Sequence, residues 1–114
     1  MLFRSATTLD FTTTTGDVFV TESNGATVSG SSTSGNINLT STTGNWTIGG
    51  NISTTGNVTM TASAGDILRT AGTVSGNALS FTAGGADGDL GASGAALQTT
   101  GTTIAFAEIG RAHV

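Results

Sequence analysis

Residues 54–62 read Thr54-Thr55-Gly56-Asn57-Val58-Thr59-Met60-Thr61-Ala62: a glycine–asparagine step, then apolar residues at alternate positions. Gly and Asn suit a tight corner, and period-two alternation marks a strand with one buried face. The same unit returns on both sides: Gly16-Asp17 with Val18 and Val20, Gly35-Asn36 with Ile37 and Leu39, and Gly76-Asn77 with Leu79 and Phe81. The intervals from Gly16 to Gly35, Gly56 and Gly76 are nearly even. A corner-plus-strand unit of about 20 residues indicates a solenoid, in which each repeat is one coil stacked on its neighbour.

Alternation sends Val18, Val20, Ile37, Leu39, Val58, Met60, Leu79 and Phe81 inward, and Phe19, Thr21, Asn38, Thr40, Thr59, Thr61, Ser80 and Thr82 outward. A second apolar column follows half a coil later, with Val28, Trp46, Ile48, Ile67 and Leu90. A third holds Ile52, Val74 and Leu97, and Ile104 with Phe106 opens a fifth turn. The corners between columns fall at Asn24-Gly25, Gly44-Asn45, Gly49-Gly50, Gly65-Asp66 and Gly84-Gly85, where positive φ is expected. No window has helical periodicity, and Ala95-Ala96-Leu97-Gln98 is too short to nucleate a helix.

Asn24-Gly25 is also a good hairpin turn, so an antiparallel sandwich competes. Hairpins do not require every second turn to recur at a fixed interval, whereas a parallel β-helix does, because each coil must stack in register. The expected fold is therefore all-β: a parallel β-helix of four to five coils. One coil alone buries two to four aliphatic side chains at roughly 1.5–3 kcal/mol each. That is too little to order about 20 residues at roughly 1–2 kcal/mol apiece, so stability must be shared between neighbours. Exposed coil ends are expected to self-associate by aggregation or end-to-end polymerisation.

The composition of the 114-residue chain narrows the function classes. Charged residues make up 9%, with 18 Gly and no Pro. A Gly/Ser/Thr linker would share this texture but not the evenly spaced apolar pairs. A net charge of −4 with three basic residues argues against nucleic acid, which needs clustered Lys and Arg. The absence of Cys excludes disulfides and thiolate metal sites. No apolar run approaches the roughly 18 residues needed to cross a bilayer, and no signal peptide opens the sequence.

Both ends break the Thr/Gly texture. Ile109-Gly110-Arg111-Ala112-His113-Val114 resembles the in-frame translation of a sequencing-library adapter, ATC GGA AGA GCA CAC GTC. Met1-Leu2-Phe3-Arg4-Ser5 resembles the opposing adapter, GTG CTC TTC CGA TCT. The expectation is that residues 1–5 and 108–114 are adapter-derived, and that residues 6–107 are a β-helix repeat segment of a longer protein. Other codons at either end of the gene would remove it.

Several residues invite a catalytic or binding interpretation. β-Helical lyases and hydrolases need facing carboxylates and a base. Asp17, Asp66, Asp87 and Asp89 fall in turn steps, where Asp is a standard corner residue, and Arg69 is expected to be a solvated surface residue. Residues Gly84-Gly85-Ala86-Asp87-Gly88-Asp89-Leu90 are similar to a calcium-binding glycine-rich nonapeptide. Asp87 stands at a glycine position, however, and no second copy completes a shell of six or more oxygens. No catalytic, metal or cofactor-binding residue is assigned. Asn38, Asn45, Asn51 and Asn57 each begin an Asn-x-Ser/Thr acceptor triplet. Trp46 is expected in the core rather than as a sugar-stacking platform. Thr21, Thr40, Thr61 and Thr82 form an outward ladder that reinforces one face. The adjoining column of Phe19, Asn38, Thr59 and Ser80 is too irregular to match an ice lattice.

The runs at 54–62, 63–67 (Ser-Ala-Gly-Asp-Ile) and 86–99 (Ala-Asp-Gly-Asp-Leu-Gly-Ala-Ser-Gly-Ala-Ala-Leu-Gln-Thr) together resemble the repeats of filamentous-haemagglutinin-type adhesins. The resemblance covers roughly Asp10 to Ala107, and its low-complexity motifs specify an architecture better than a family member. It implies a right-handed parallel β-helix shaft, exported by a two-partner or autotransporter route and located extracellularly or at the bacterial outer-membrane surface. Relatives of that kind serve adhesion, biofilm formation or contact-dependent toxin delivery. On this basis the chain is expected to be a non-enzymatic structural shaft. Its partners would be host or bacterial cell-surface molecules, met through parts outside this segment. The alternative is a non-catalytic slice of a β-helical polysaccharide lyase or hydrolase.

Overall fold

The computed structural model describes residues 7–85 and 88–108, together with the backbone of Leu2–Phe3. Two parallel sheets face each other across one apolar core. The first contains β1 (Leu2–Phe3), β3 (Val18–Glu22), β5 (Ile37–Ser41), β7 (Val58–Ala62), β10 (Ala78–Ala83) and β12 (Thr103–Glu108), in that spatial order. The second runs β2 (Thr8–Thr13), β4 (Ala26–Ser32), β6 (Trp46–Ser53), β9 (Val74–Ser75) and β11 (Thr99–Thr100), with β8 (Ile67–Arg69) also on β6. Because the chain alternates between sheets, the strands before and after each corner never pair. Each strand instead pairs with its equivalent one coil on. This is a β-solenoid of about five turns with a spacing of ~21 residues.

The hairpin alternative fails at Asn24-Gly25. β3 and β4, which flank that step, lie in different sheets and pair with β5 and with β2 and β6. The antiparallel element among the described residues is a single Ala92–Ala95 bridge.

The first sheet follows the alternation of its sequence. Val18, Ile37, Val58, Leu79 and Ile104 stand in one register row, and Val20, Leu39, Met60, Phe81 and Phe106 in the next. Ile37, Val58, Met60 and Phe81 are fully buried. Ile104 and Phe106 are 39% and 55% exposed, since β12 lies at the edge of the stack. Phe106 still packs its ring on Phe81, with centroids 5.4 Å apart and planes 16° from parallel.

The second sheet departs from the expected columns. Val28, Trp46, Ile48, Ile67 and Leu90 divide into two rows: Ala26–Trp46–Ile67–Leu90 and Val28–Ile48–Arg69. The third column places Ile52 on Val74, but Val74 is followed by Thr99 rather than Leu97. Leu97 packs half-buried against the core outside the row. The physical reason is a widening bend. Ser29 alone separates Val28 from Gly30; Gly49-Gly50-Asn51 separate Ile48 from Ile52, and Thr70-Ala71-Gly72-Thr73 separate Arg69 from Val74. Coil length grows in step: along the first-sheet row the step from Val18 to Ile37 is the shortest and that from Leu79 to Ile104 the longest. Leu9 and Phe11, which the column pattern omits, cover Val28 and Gly30 from the first coil.

Of the two suspected adapter ends, residues 1, 4, 5 and 109–114 lie outside the described residues, as does residue 6 of the repeat segment. Among the described residues, no helix is long and apolar enough to cross a membrane.

Candidate functional site

The densest polar chemistry lies at the corners. The Gly-Asx steps carry an asparagine/aspartate ladder whose bonds run between coils rather than within one turn. Asp17 Oδ1 accepts from the Asn36 backbone N–H at 2.8 Å, Asn36 Oδ1 from Asn57 N–H at 3.0 Å, and Asn57 Oδ1 from Ala78 N–H at 3.2 Å. A second ladder joins Asn45 Oδ1 to Asp66 N–H at 2.8 Å and Asp66 Oδ1 to Asp89 N–H at 2.9 Å. Asn51 Oδ1 accepts from Thr73 N–H at 3.0 Å. Each bond satisfies a backbone donor that would otherwise leave the regular ladder at a corner.

Glycine stands beside these residues for room rather than for dihedral freedom. Positive φ occurs at Gly25, Gly30, Gly72, Gly91 and Gly94, so the expectation of positive φ at the other corner glycines is corrected. A Cβ on Gly35 or Gly44 would run into the Gly16 or Asn24 carbonyl of the coil before it. On Gly56 or Gly65 it would lie 2.6 Å from the Gly35 or Gly44 carbonyl oxygen. The corners stack backbone on backbone.

Buried polar side chains at inward positions complete several of the corners. Ser32 Oγ donates to the Gly16 carbonyl at 3.0 Å and accepts from Gly35 N–H at 2.9 Å. Thr54 Oγ1 donates to the Gly35 carbonyl and accepts from Gly56 N–H. On the other edge, Ser41 Oγ donates to the Gly44 carbonyl at 2.8 Å, and Glu22, 1% exposed, accepts from Asn24 N–H at 3.1 Å. Periodicity assigned none of these as buried, because a hydroxyl or carboxylate reads as outward. The available signal is the spacing itself: Thr13, Ser32 and Ser41 each stand at the third position before a corner glycine. Among the described residues, no buried side-chain polar atom lacks a partner.

Trp46 is fully buried and its Nε1–H donates to the Thr61 carbonyl at 3.0 Å, so it bridges the two sheets rather than presenting a platform. Arg69 corrects the surface assignment. It occupies an inward register position after Val28 and Ile48, is half-buried, and its Nε–H donates to the Gly72 carbonyl at 2.6 Å. There it pins the widened bend. Asp66 and Asp89 do stack on successive coils, an alignment not evident in the sequence, but one Asp66 oxygen is already engaged by Asp89 N–H. In the nonapeptide-like stretch, Asp87 lies outside the described residues. No group of three or more His, Asp or Glu able to hold a metal occurs among the described residues. Of the four acceptor triplets, those at Asn45, Asn51 and Asn57 use their Oδ1 atoms in the ladders. Asn38 lies in the outward row between Phe19 and Thr59.

The outer face of the first sheet is a regular uncharged surface. Thr21, Thr40, Thr61, Thr82 and Ala107 form one row in register, beside Phe19, Asn38, Thr59, Ser80 and Ala105. What the assembled geometry can do chemically is hold shape and present hydroxyl and amide groups at fixed spacing. These features define the class: a β-solenoid repeat protein with side-chain ladders at its corners. Comparison with known protein families, curated proteins and solved structures gives no match for this chain.

The ladder makes a specific prediction. Asn57→Ala removes the acceptor for Ala78 N–H and is expected to cost about 1 kcal/mol. Asn57→Asp keeps an oxygen in place and is expected to recover most of it. Urea titrations of both variants, followed by circular dichroism, check this; equal losses would mean that acceptor chemistry is not what the position supplies.

Proposed function

We propose that this chain is a structural shaft segment of a secreted or cell-surface bacterial adhesin, serving adhesion, biofilm formation or contact-dependent interaction. The observation that carries this reading is the register. First-sheet rows run unbroken from Val18 to Ile104 and from Val20 to Phe106, while the corner side chains are spent on joining coil to coil. A protein built this way spans distance, as the resemblance to filamentous-haemagglutinin-type repeats also implies. Its partners are cell-surface molecules engaged through other parts of the assembly, and its place is outside the cell or on the outer membrane.

A slice of a β-helical polysaccharide lyase or hydrolase is the second reading, and the stacked Asp66 and Asp89 are the observation in its favour. It is weaker because Asp66 is tied into the corner and the half-buried Arg69 is bonded to the Gly72 carbonyl. Antibodies raised against the purified chain are expected to label intact cells that carry the gene. Labelling confined to lysed cells would defeat the adhesin reading. A short full-length gene with a charged cleft in a coil outside this segment would favour the enzyme, of which this chain would be a non-catalytic slice.

A further inference from the structure

One asparagine stands in the reverse order at its corner. At 16–17, 35–36, 44–45, 56–57, 65–66 and 76–77 glycine precedes the Asx residue, so Asn36, Asn45, Asn57 and Asn77 are followed by Ile37, Trp46, Val58 and Ala78. Asn38 and Asn51 precede Leu39 and Ile52, and Asn24 alone precedes a glycine, Gly25. A side chain on the following residue shields that residue's backbone nitrogen from the asparagine amide. Glycine has no Cβ to do so.

We propose that Asn24-Gly25 is a self-modification site, whose side-chain amide is lost by reaction with water when the corner opens and is kept while the following coil is stacked on it. The Gly25 backbone nitrogen attacks the Asn24 side-chain carbonyl carbon, Cγ. The new N–Cγ bond closes a five-membered imide, the Cγ–Nδ2 bond breaks, and Nδ2 leaves as ammonia with the proton from Gly25 N–H. Water then opens the imide at either carbonyl. One opening gives aspartate at position 24; the other gives isoaspartate, with the main chain running through Cγ. Either product adds one carboxylate. The site rests on corner chemistry and not on any adhesive role, so it can fail without affecting that reading.

Ring closure has to turn the Asn24–Gly25 peptide, and the stacked corner clamps that peptide. The Asn24 N–H donates to Glu22 Oε1 at 3.1 Å. A Cβ on Gly44 would meet the Asn24 carbonyl and one on Gly25 the Asn45 backbone, so residues 24–25 and 44–45 lie backbone on backbone. Gly25 is held at a φ of +84°. The Thr43 N–H donates to the Ser23 carbonyl at 3.0 Å, and Thr43 Oγ1 donates to the same carbonyl and to Asn24 Oδ1, the latter at 3.5 Å. All the contacts from residues 43–45 belong to the following coil. Reaction in the folded chain therefore waits on local parting of the two coils, and its rate follows the population of that opened state.

Incubation of the full chain at mildly alkaline pH, in buffer and in guanidinium chloride, tests both the site and its gate. Ion exchange reads the added negative charge, and enzymatic methylation of isoaspartate with peptide mass mapping locates it. In guanidinium the product is expected at Asn24 before any other asparagine. In buffer, with the fold verified by circular dichroism, conversion is expected to be at least about tenfold slower. Thr43→Ala removes the two hydroxyl bonds at an exposed position. It is expected to speed the reaction in buffer and leave the rate in guanidinium unchanged. Asn24→Gln, which would have to close a six-membered ring, is expected to abolish the fast phase. Product arising first at another asparagine, equal rates in the two solvents, or a Thr43 variant no faster than the unmodified chain in buffer would each overturn the proposal.

Discussion

Trp46→Ala is expected to destabilise the protein more than any other single truncation. The indole is fully buried, sits between Ala26 and Ile67 in its register row, and donates to the Thr61 carbonyl across the core. Emptying a large aromatic site costs roughly 3–5 kcal/mol, and the bond to Thr61 is lost with it. Small domains have about 5–15 kcal/mol in total, so the variant loses a large share of its stability. With about 4–8 °C per kcal/mol for a chain of this size, the expected fall in Tm is at least about 12 °C. Thr47→Ala, one residue on and facing outward, is expected to cost less than about 1 kcal/mol. Thermal unfolding followed by circular dichroism compares the two. A Trp46 variant melting alongside the Thr47 variant would mean that the two sheets do not share one core.

Gly35→Ala and Gly16→Ala are expected to diverge although both glycines occupy the same Gly-Asx step. A Cβ at Gly35 meets the Gly16 carbonyl and the Asp17 amide of the coil before it, and backbone cannot rotate out of the way. Overpacking of this kind costs roughly 1–3 kcal/mol, with the upper part of that range expected because two ladder strands must separate. At Gly16 the nearest atom is Thr13 Oγ1 at 3.4 Å, an ordinary contact, and φ is not positive. There alanine is expected to be neutral, or stabilising by up to about 0.5 kcal/mol through reduced freedom of the unfolded chain. Urea midpoints measured side by side decide it. Equal losses at both sites would show that the step needs glycine for its dihedral angles rather than for stacking distance.

The contrast explains what could be read in the linear chain. Rows through Val18 and Val20 were legible because their spacing stays nearly constant through β10, and alternation marks the inner face. The second sheet was legible only as to its existence. Gly49-Gly50-Asn51 and then Thr70–Thr73 enlarge the bend, shift the register and send Arg69 into an apolar row. No periodic count anticipates that, because inserted residues at a corner leave no apolar signature. The corner chemistry was half visible. Gly-Asx marked where the corners are, but a short polar side chain reads the same whether it bonds its own turn or the next coil. For Asn36 and Asn57 only the stacked geometry separates the two. Ser32, Ser41 and Thr54 were missed for the opposite reason, as polar residues whose partners are the backbone groups of the corners.

The ladders also have a direction. In each of the six inter-coil Asx bonds to backbone described above, the acceptor belongs to the earlier coil and the donor to the later one: Asp17 to Asn36, Asn36 to Asn57, Asn57 to Ala78, Asn45 to Asp66, Asp66 to Asp89 and Asn51 to Thr73. A chain that emerges amino-terminus first therefore meets oxygens already fixed in place by the preceding turn. The corners thus have a polarity: each turn offers side-chain oxygens to the turn that follows it in sequence, while backbone N–H groups of the earlier turn, such as those of Val18 and Ile37, donate to the later one.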